Sequence, residues 1–264
     1  MPKYKNAKAY RKALCFNNSA KLKDYFKAKD IICVNWELID LSNKRLVEMF
    51  SKINSAICED YKMDATEFAI FKNQMNDAYT ILKDYRIIED LLTNNGRPRE
   101  AVYYNWMRGY LVALYFRKVV AHIFGVEESE VEQLGEDNLQ SVKNDGSYLS
   151  FRKEALADLQ IVRLNYHLEI QAGFTGENDI KKSKAMDARR RKAEGWDTYV
   201  LHFDLYNGEL AIINITNLAA IADDRWIKND RFEGVFTVKI PAEAFKWNLG
   251  EVLPNLDALS FTIE

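Results

Sequence analysis

Only 4 prolines and 11 glycines punctuate 264 residues. So few chain breakers exclude collagen-like, proline-rich and low-complexity architectures. Cysteine is sparser still. Cys15, Cys33 and Cys58 are odd in number and form no C-x-x-C pair. That excludes a disulfide scaffold and a Cys/His zinc site, and reduced, buried thiols in a cytoplasmic protein are expected. No stretch reaches the roughly 18 apolar residues of a membrane span. The nearest, "YLVALYFRKVVAHIFGV", is broken by Arg117, Lys118 and His122. The opening "MPKYKNAKAYRKALCFNN" is basic but has no apolar centre, so a signal peptide is not expected. Charge of one sign is also missing. The 37 Lys and Arg against 39 Asp and Glu leave a net charge of −2, so a nucleic-acid partner would need a local basic patch. There is no Walker A loop, G-x-G-x-x-G or G-x-S-x-G string, and no nucleotide cofactor is expected.

What is present is an ordinary globular composition, 48% hydrophobic and 29% charged, enough for a sizeable core. The expectation is a single domain over 1–264, with a mainly helical lobe at 1–135 and an α/β core at 136–264. Apolar spacings of three and four predict helices over much of 17–124. Asp64 is a candidate N-cap, Gly96 a candidate stop, and Pro98 opens a helix that is apolar on nearly all sides in its second half. "EESEVEQLG" reads as a short acidic helix and "EDNLQSVKNDGS" as a loop. From about residue 150 the period changes. "DLQIVRL" and "YHLEIQAG" are strand-like around Leu164-Asn165, and "DIKKSKAMDARRRKAEG" is helical. "TYVLHFDL" and "ELAIINI" flank a Tyr206-Asn207-Gly208 turn, and "RFEGVFTVKI" and "LSFTIE" are further strands.

The first of these hairpins carries the chemistry. In a strand, residues two apart share a face, so His167, Glu169 and Gln171 lie together, opposite Leu168, Ile170 and Ala172. The aliphatic side is the core side, and the polar side is expected at a cleft or solvent. A turn at Leu164-Asn165 sets Asp158 roughly opposite residues 169–171. Two carboxylates that close repel unless a proton or cation lies between them. A hard ion such as Mg²⁺ suits such oxygen ligands.

Asp158, then ten residues, then Glu169-Ile170-Gln171, followed by a basic helix and a strand, resembles the PD-(D/E)xK nuclease superfamily. The likeness is to type II restriction endonucleases, some of which carry Glu-x-Gln. It covers roughly residues 150–216, and the helical half matches nothing recognised. The resemblance implies an α/β fold in which helices flank the mixed β-sheet of a restriction-endonuclease-like core. It implies Mg²⁺ held by Asp158, Glu169 and the Ile170 carbonyl, with Asp158, Glu169 and Gln171 as catalytic residues. The implied activity is hydrolysis of double-stranded DNA at a specific site to give 5′-phosphates, by a homodimer. Two departures stand out: Ala157 replaces the usual proline, and Gln171 replaces the lysine that positions or polarises the attacking water. A glutamine there leaves open slower chemistry, a different water activator or loss of activity. Lys181, Lys182 or Lys184 could lend the missing charge, and Glu100 could supply an upstream acid.

Between Asn178 and Lys192 seven cations face two acids. Lys181, Lys182, Lys184, Arg189 and Arg190 are the candidate DNA contacts, which would make binding salt-dependent. His122 reads as a core residue, His202 as a strand residue without a ligand partner, and His167 as a neighbour of the motif face. Two rival expectations remain: a non-cleaving nucleic-acid-binding protein of the same fold, and a helical interaction protein whose hairpin is structural.

Overall fold

The structure is a computed structural model that describes residues 34–91, 98–134, 139–140, 142–144, 146, 157–173, 179–229 and 234–263. The chain divides into two compact units interleaved along the sequence. One takes Met1–Ile53, Thr66–Arg108 and Asn138–Lys153, and the other Asn54–Ala65, Gly109–Asp137 and Glu154–Glu264.

The described part of the first unit includes α1 (Trp36–Ala56), α2 (Ala65–Asp84), α3 (Ile87–Asp90) and the start of α4 (Arg99–Tyr115). Their buried positions follow the helical period. Ile39, Asn43, Leu46 and Phe50 line one stripe of α1, and Phe71, Met75, Ala78 and Leu82 one stripe of α2. Phe50 and Phe71 meet edge to face with centroids 5.1 Å apart. The buried Tyr103 hydroxyl donates to Asn43 Oδ1 at 2.7 Å, which satisfies two polar groups that burial would otherwise penalise. Glu100 is buried in this unit, and its Oε1 accepts the Asn35 N–H at 2.7 Å. The helix expected before residue 34 and the stop expected at Gly96 lie outside the described residues.

The second unit is built on a mixed sheet. Its strands are β1 (Glu132–Gln133), β2 (Leu159–Ile161), β3 (Tyr166–Gly173), β5 (Asp197–Asp204), β6 (Glu209–Asn214), β9 (Phe245–Asn248) and β10 (Ser260–Thr262). The order is β1-β2-β3-β5-β6-β10, with β9 also paired to β6. The β2–β3 pair is antiparallel and closes through a 3-10 turn at Val162–Leu164, with Asn165 left-handed at φ 56°. Strands β3 and β5 run parallel. A parallel pair needs a crossover, and α6 (Lys182–Ala193) lies within it. The β5–β6 turn is held by Asp204, whose carboxylate accepts the backbone N–H groups of Tyr206 and Asn207. Gly208 follows at φ +73°, a conformation that favours glycine. A smaller antiparallel sheet contains β4 (Asp179–Lys181), β8 (Val235–Lys239) and β7 (Ile227–Asn229) in the order β4-β8-β7.

Both faces of the main sheet are covered. On one, Val200, Ala211 and Ile213 join Ala185 and Ala188 of α6 with Ile180 and Val238 of the small sheet. The two alanines let the helix approach closely. On the other face, Phe203 stacks on Phe116 at 4.1 Å, and Phe124 of α5 (Arg117–Phe124) meets Tyr166 and Tyr199 edge to face. Leu111–Phe116 are all buried, as the all-round apolar pattern of α4 predicts.

The fold class read from the sequence is thus present: mixed α/β, with helices preceding the sheet. Three local readings change. "EESEVEQLG" forms a 3-10 turn at Glu128–Glu130 and then β1, because Val131 and Gln133 are buried beside β2. Part of the expected loop is helical at 139, 140 and 142–144, where Leu139 and Val142 are buried. Strands β4, β7 and β9 are additional, and β4 takes Asp179–Lys181 from the start of the stretch expected to be helical. They are three or four residues long, too short for alternation to mark them.

Candidate functional site

Strand β3 places the motif. Leu159 pairs with Leu168, so one step further Asp158 stands across the strand pair from Glu169. Side chains opposite each other in an antiparallel pair share a face. Asp158 Oδ2 accepts the Ile170 N–H at 2.7 Å, and the Asp158 N–H donates to Leu168 O.

The polar side of β3, expected at a cleft or solvent, is buried at His167 and Glu169 and half-buried at Gln171. Glu169 is registered against Val200, a residue of the core packed by α6, and is itself buried. Helix α6 delivers two cations to it. Lys184 Nζ donates to Glu169 Oε2 at 2.7 Å and Arg191 Nη1 to Glu169 Oε1 at 2.7 Å. Lys184 and Arg191 are seven residues apart, two helical turns, so they lie on one face. Both Glu169 oxygens are therefore ion-paired within the chain.

Electrostatics follow from burial and these pairs. Burial would raise the Glu169 pKa, but Lys184 and Arg191 outweigh it and hold the carboxyl below its ordinary value. Asp158 goes the other way. Burial pushes it up to about 6 and the Glu169 charge adds to the rise, while Lys184 pulls against both. Burial opposes the charge on Lys184 too, yet Glu169 and Asp158 together raise its pKa.

Gln171 is half-buried and registered against His202 on β5. His202 Nδ1 lies 3.1 Å from Gln171 Oε1. Burial lowers the His202 pKa to about 4, and a neutral imidazole carrying its proton on Nδ1 would donate to Gln171 Oε1. The amide nitrogen of Gln171 is then left as a donor. His167 stacks on Trp196 with centroids 4.1 Å apart and planes within 4°. Burial and the nearby Arg191 charge lower its pKa.

The five cations expected to meet phosphate have separate fates. Arg189 and Arg190 are exposed on α6, and Arg190 pairs with Asp187. Lys181 is exposed at the end of β4. Lys182 pairs with Asp223 at 2.9 Å and lies over the Trp226 ring. Lys184 turns inward to Glu169. Arg191 and Trp196 are site residues that the sequence pattern did not single out, and His202, expected as a strand residue without a ligand partner, lies beside Gln171. Only Arg191 left a usable signal, its two-turn spacing from Lys184.

Asp158, Glu169 and the Ile170 carbonyl are hard oxygen donors of the kind a divalent cation takes, and a cation there would compete with Lys184 and Arg191 for the Glu169 oxygens. No group of three or more His, Cys, Asp or Glu side chains gathers among the described residues, so the remaining ligands would be backbone or water oxygens. Among the described residues no helix is long and apolar enough to cross a membrane. Fold and site together define a mixed α/β protein with a carboxylate–cation cluster beneath its crossover helix. No known protein family, curated protein or solved structure matches the chain.

Proposed function

We propose that this protein is a Mg²⁺-dependent, site-specific endonuclease of restriction type, acting on double-stranded DNA to leave 5′-phosphates. One observation carries the reading. The Lys184 ammonium reaches Glu169 beside Asp158, so the helix contributes the cation that the strand lacks at Gln171. Bound at Asp158, Glu169 and the Ile170 carbonyl, Mg²⁺ would lower the pKa of a water and polarise the phosphoryl group.

The chain's own groups do the rest. Lys184 offers positive charge to a phosphoryl oxygen as negative charge grows on it. Gln171, its carbonyl held by His202, directs its amide N–H toward an oxygen ligand and orients the attacking water. Water oxygen adds to phosphorus as the P–O3′ bond breaks; the attacking water gives up a proton to bulk solvent, and the departing 3′ oxygen takes one from a solvent water to become a hydroxyl. Arg189, Arg190 and Lys181 bind backbone phosphates. A homodimer would mirror a two-fold symmetric site.

Unmethylated phage DNA incubated with the protein and Mg²⁺ is expected to give discrete fragments with 5′-phosphates, and Asp158→Ala is expected to abolish them. DNA left intact across varied sequences overturns the reading. A second reading is favoured by Arg191, which occupies the other Glu169 oxygen: a protein that holds DNA without cutting it. Steeply salt-dependent DNA binding with no cleavage in Mg²⁺ would establish that one.

A further inference from the structure

The two carboxylates first called for a cation because they could not otherwise coexist. In the folded chain that need is already met. Lys184 enters from α6 and places its ammonium 2.7 Å from Glu169 Oε2, with the Asp158 side chain across the strand pair. Arg191 approaches the opposite oxygen, Oε1, and is more deeply buried than Lys184. The Arg191 side chain is 6% exposed and that of Lys184 24%. Arg191 is therefore the fixed partner and Lys184 the one with a path toward solvent.

We propose that the Lys184 ammonium holds the divalent-cation position of the free protein, so that metal entry and the Lys184–Glu169 pair exclude one another. The inference rests on the nuclease reading of the same cluster and adds its regulation. A cation binding Asp158 and Glu169 meets a like charge unless Lys184 withdraws. A long, flexible lysine on the first turns of α6 can do so, and a DNA phosphate offers it a new anionic partner. DNA binding then opens the metal position, and bound metal in turn favours the lysine conformation that grips phosphate. Such coupling between two ligands is reciprocal. It keeps the cluster free of metal until substrate arrives, and it explains why a catalytic lysine would sit on a helix rather than on the rigid strand.

The test is Mn²⁺ binding to the free protein, followed by electron paramagnetic resonance of unbound Mn²⁺. Lys184→Met, which keeps the stem and removes the charge, is expected to bind Mn²⁺ at least tenfold more tightly than the wild type. Lys184→Arg keeps a cation and is expected to show no such gain. A measurement on the wild type alone serves if Lys184→Met does not fold: a phosphorothioate duplex is expected to tighten Mn²⁺ binding at least tenfold. A folded Lys184→Met protein with wild-type or weaker Mn²⁺ affinity overturns the inference. So does a duplex without effect on the wild type. If the wild type still cuts DNA in either case, the nuclease reading stands and only the exclusion falls. Absence of both Mn²⁺ uptake and cleavage overturns both.

Discussion

Arg191 Nη1 donates to Glu169 Oε1 at 2.7 Å, joining helix α6 to strand β3 through a pair in which both side chains are buried. A buried pair draws most of its measurable importance from what is left behind when one partner goes. Lys184 alone would then balance a carboxylate in a dry setting. Arg191→Met is expected to destabilise the protein by about 3 kcal/mol, read from urea unfolding at pH 7. A change below about 0.5 kcal/mol, typical of a surface site, would show that the pair is not structurally important.

Lys184 and Gln171 make an exchangeable set if the helix cation replaces the strand cation. Lys184→Ala is expected to lower Mg²⁺-dependent cleavage by about 100-fold, the low end of what one positioned catalytic group contributes. Duplex binding at low salt should persist through the exposed arginines. Adding Gln171→Lys is expected to recover part of the lost rate. No recovery in a folded double variant would show that the two positions are not equivalent.

His202 makes stability depend on pH. Its folded pKa, about 4, lies below the ordinary 6.5 because burial disfavours the imidazolium. The unfolded chain therefore binds more protons between those values, and stability falls as pH drops from about 6.5 toward 4. The contribution is on the order of 3 kcal/mol. His202→Asn can keep the bond to Gln171 and is expected to flatten the curve of melting temperature against pH in this window. A variant as pH-sensitive as the wild type would locate the titration elsewhere.

Exposed arginines on α6 predict a salt signature. Each phosphate contact removed lowers the steepness of log affinity against log salt by about 1. Arg189→Ala with Arg190→Ala is expected to lower the slope by about 2 in a fluorescence-anisotropy titration of a duplex. An unchanged slope would place the DNA path away from the outer face of this helix.

The core offers a control on the other face of the sheet. Phe203 stacks on Phe116 at 4.1 Å, and both are fully buried. Phe203→Ala is expected to cost about 3–5 kcal/mol with no change in Mn²⁺ affinity of any protein that remains folded.

Much of this site could be read from local pattern. Strand periodicity put Glu169 and Gln171 on one face, the turn at Leu164-Asn165 brought Asp158 across from them, and the glycine-poor basic segment marked α6. Those features depend on neighbours within about a dozen residues, where backbone geometry determines which side chains can meet. Strands β4, β7 and β9 left no comparable trace. Their few residues are held by pairing with distant strands, as Ile180 is with Val238 and Leu210 with Trp247.

The sequence by itself determined the α/β class, the helical region ahead of the sheet and the hairpin that pairs Asp158 with Glu169. Only the tertiary structure decided which charges surround that hairpin. A run of lysines and arginines reads alike in sequence whether it faces water or a carboxylate. The crossover between the parallel strands β3 and β5 lays α6 against the sheet, with Ala185 and Ala188 at the contact. That packing turns Lys184 and Arg191 inward onto Glu169 and leaves Arg189 and Arg190 outside. Helix rotation is set by what the small residues pack against, and that information belongs to the assembled core.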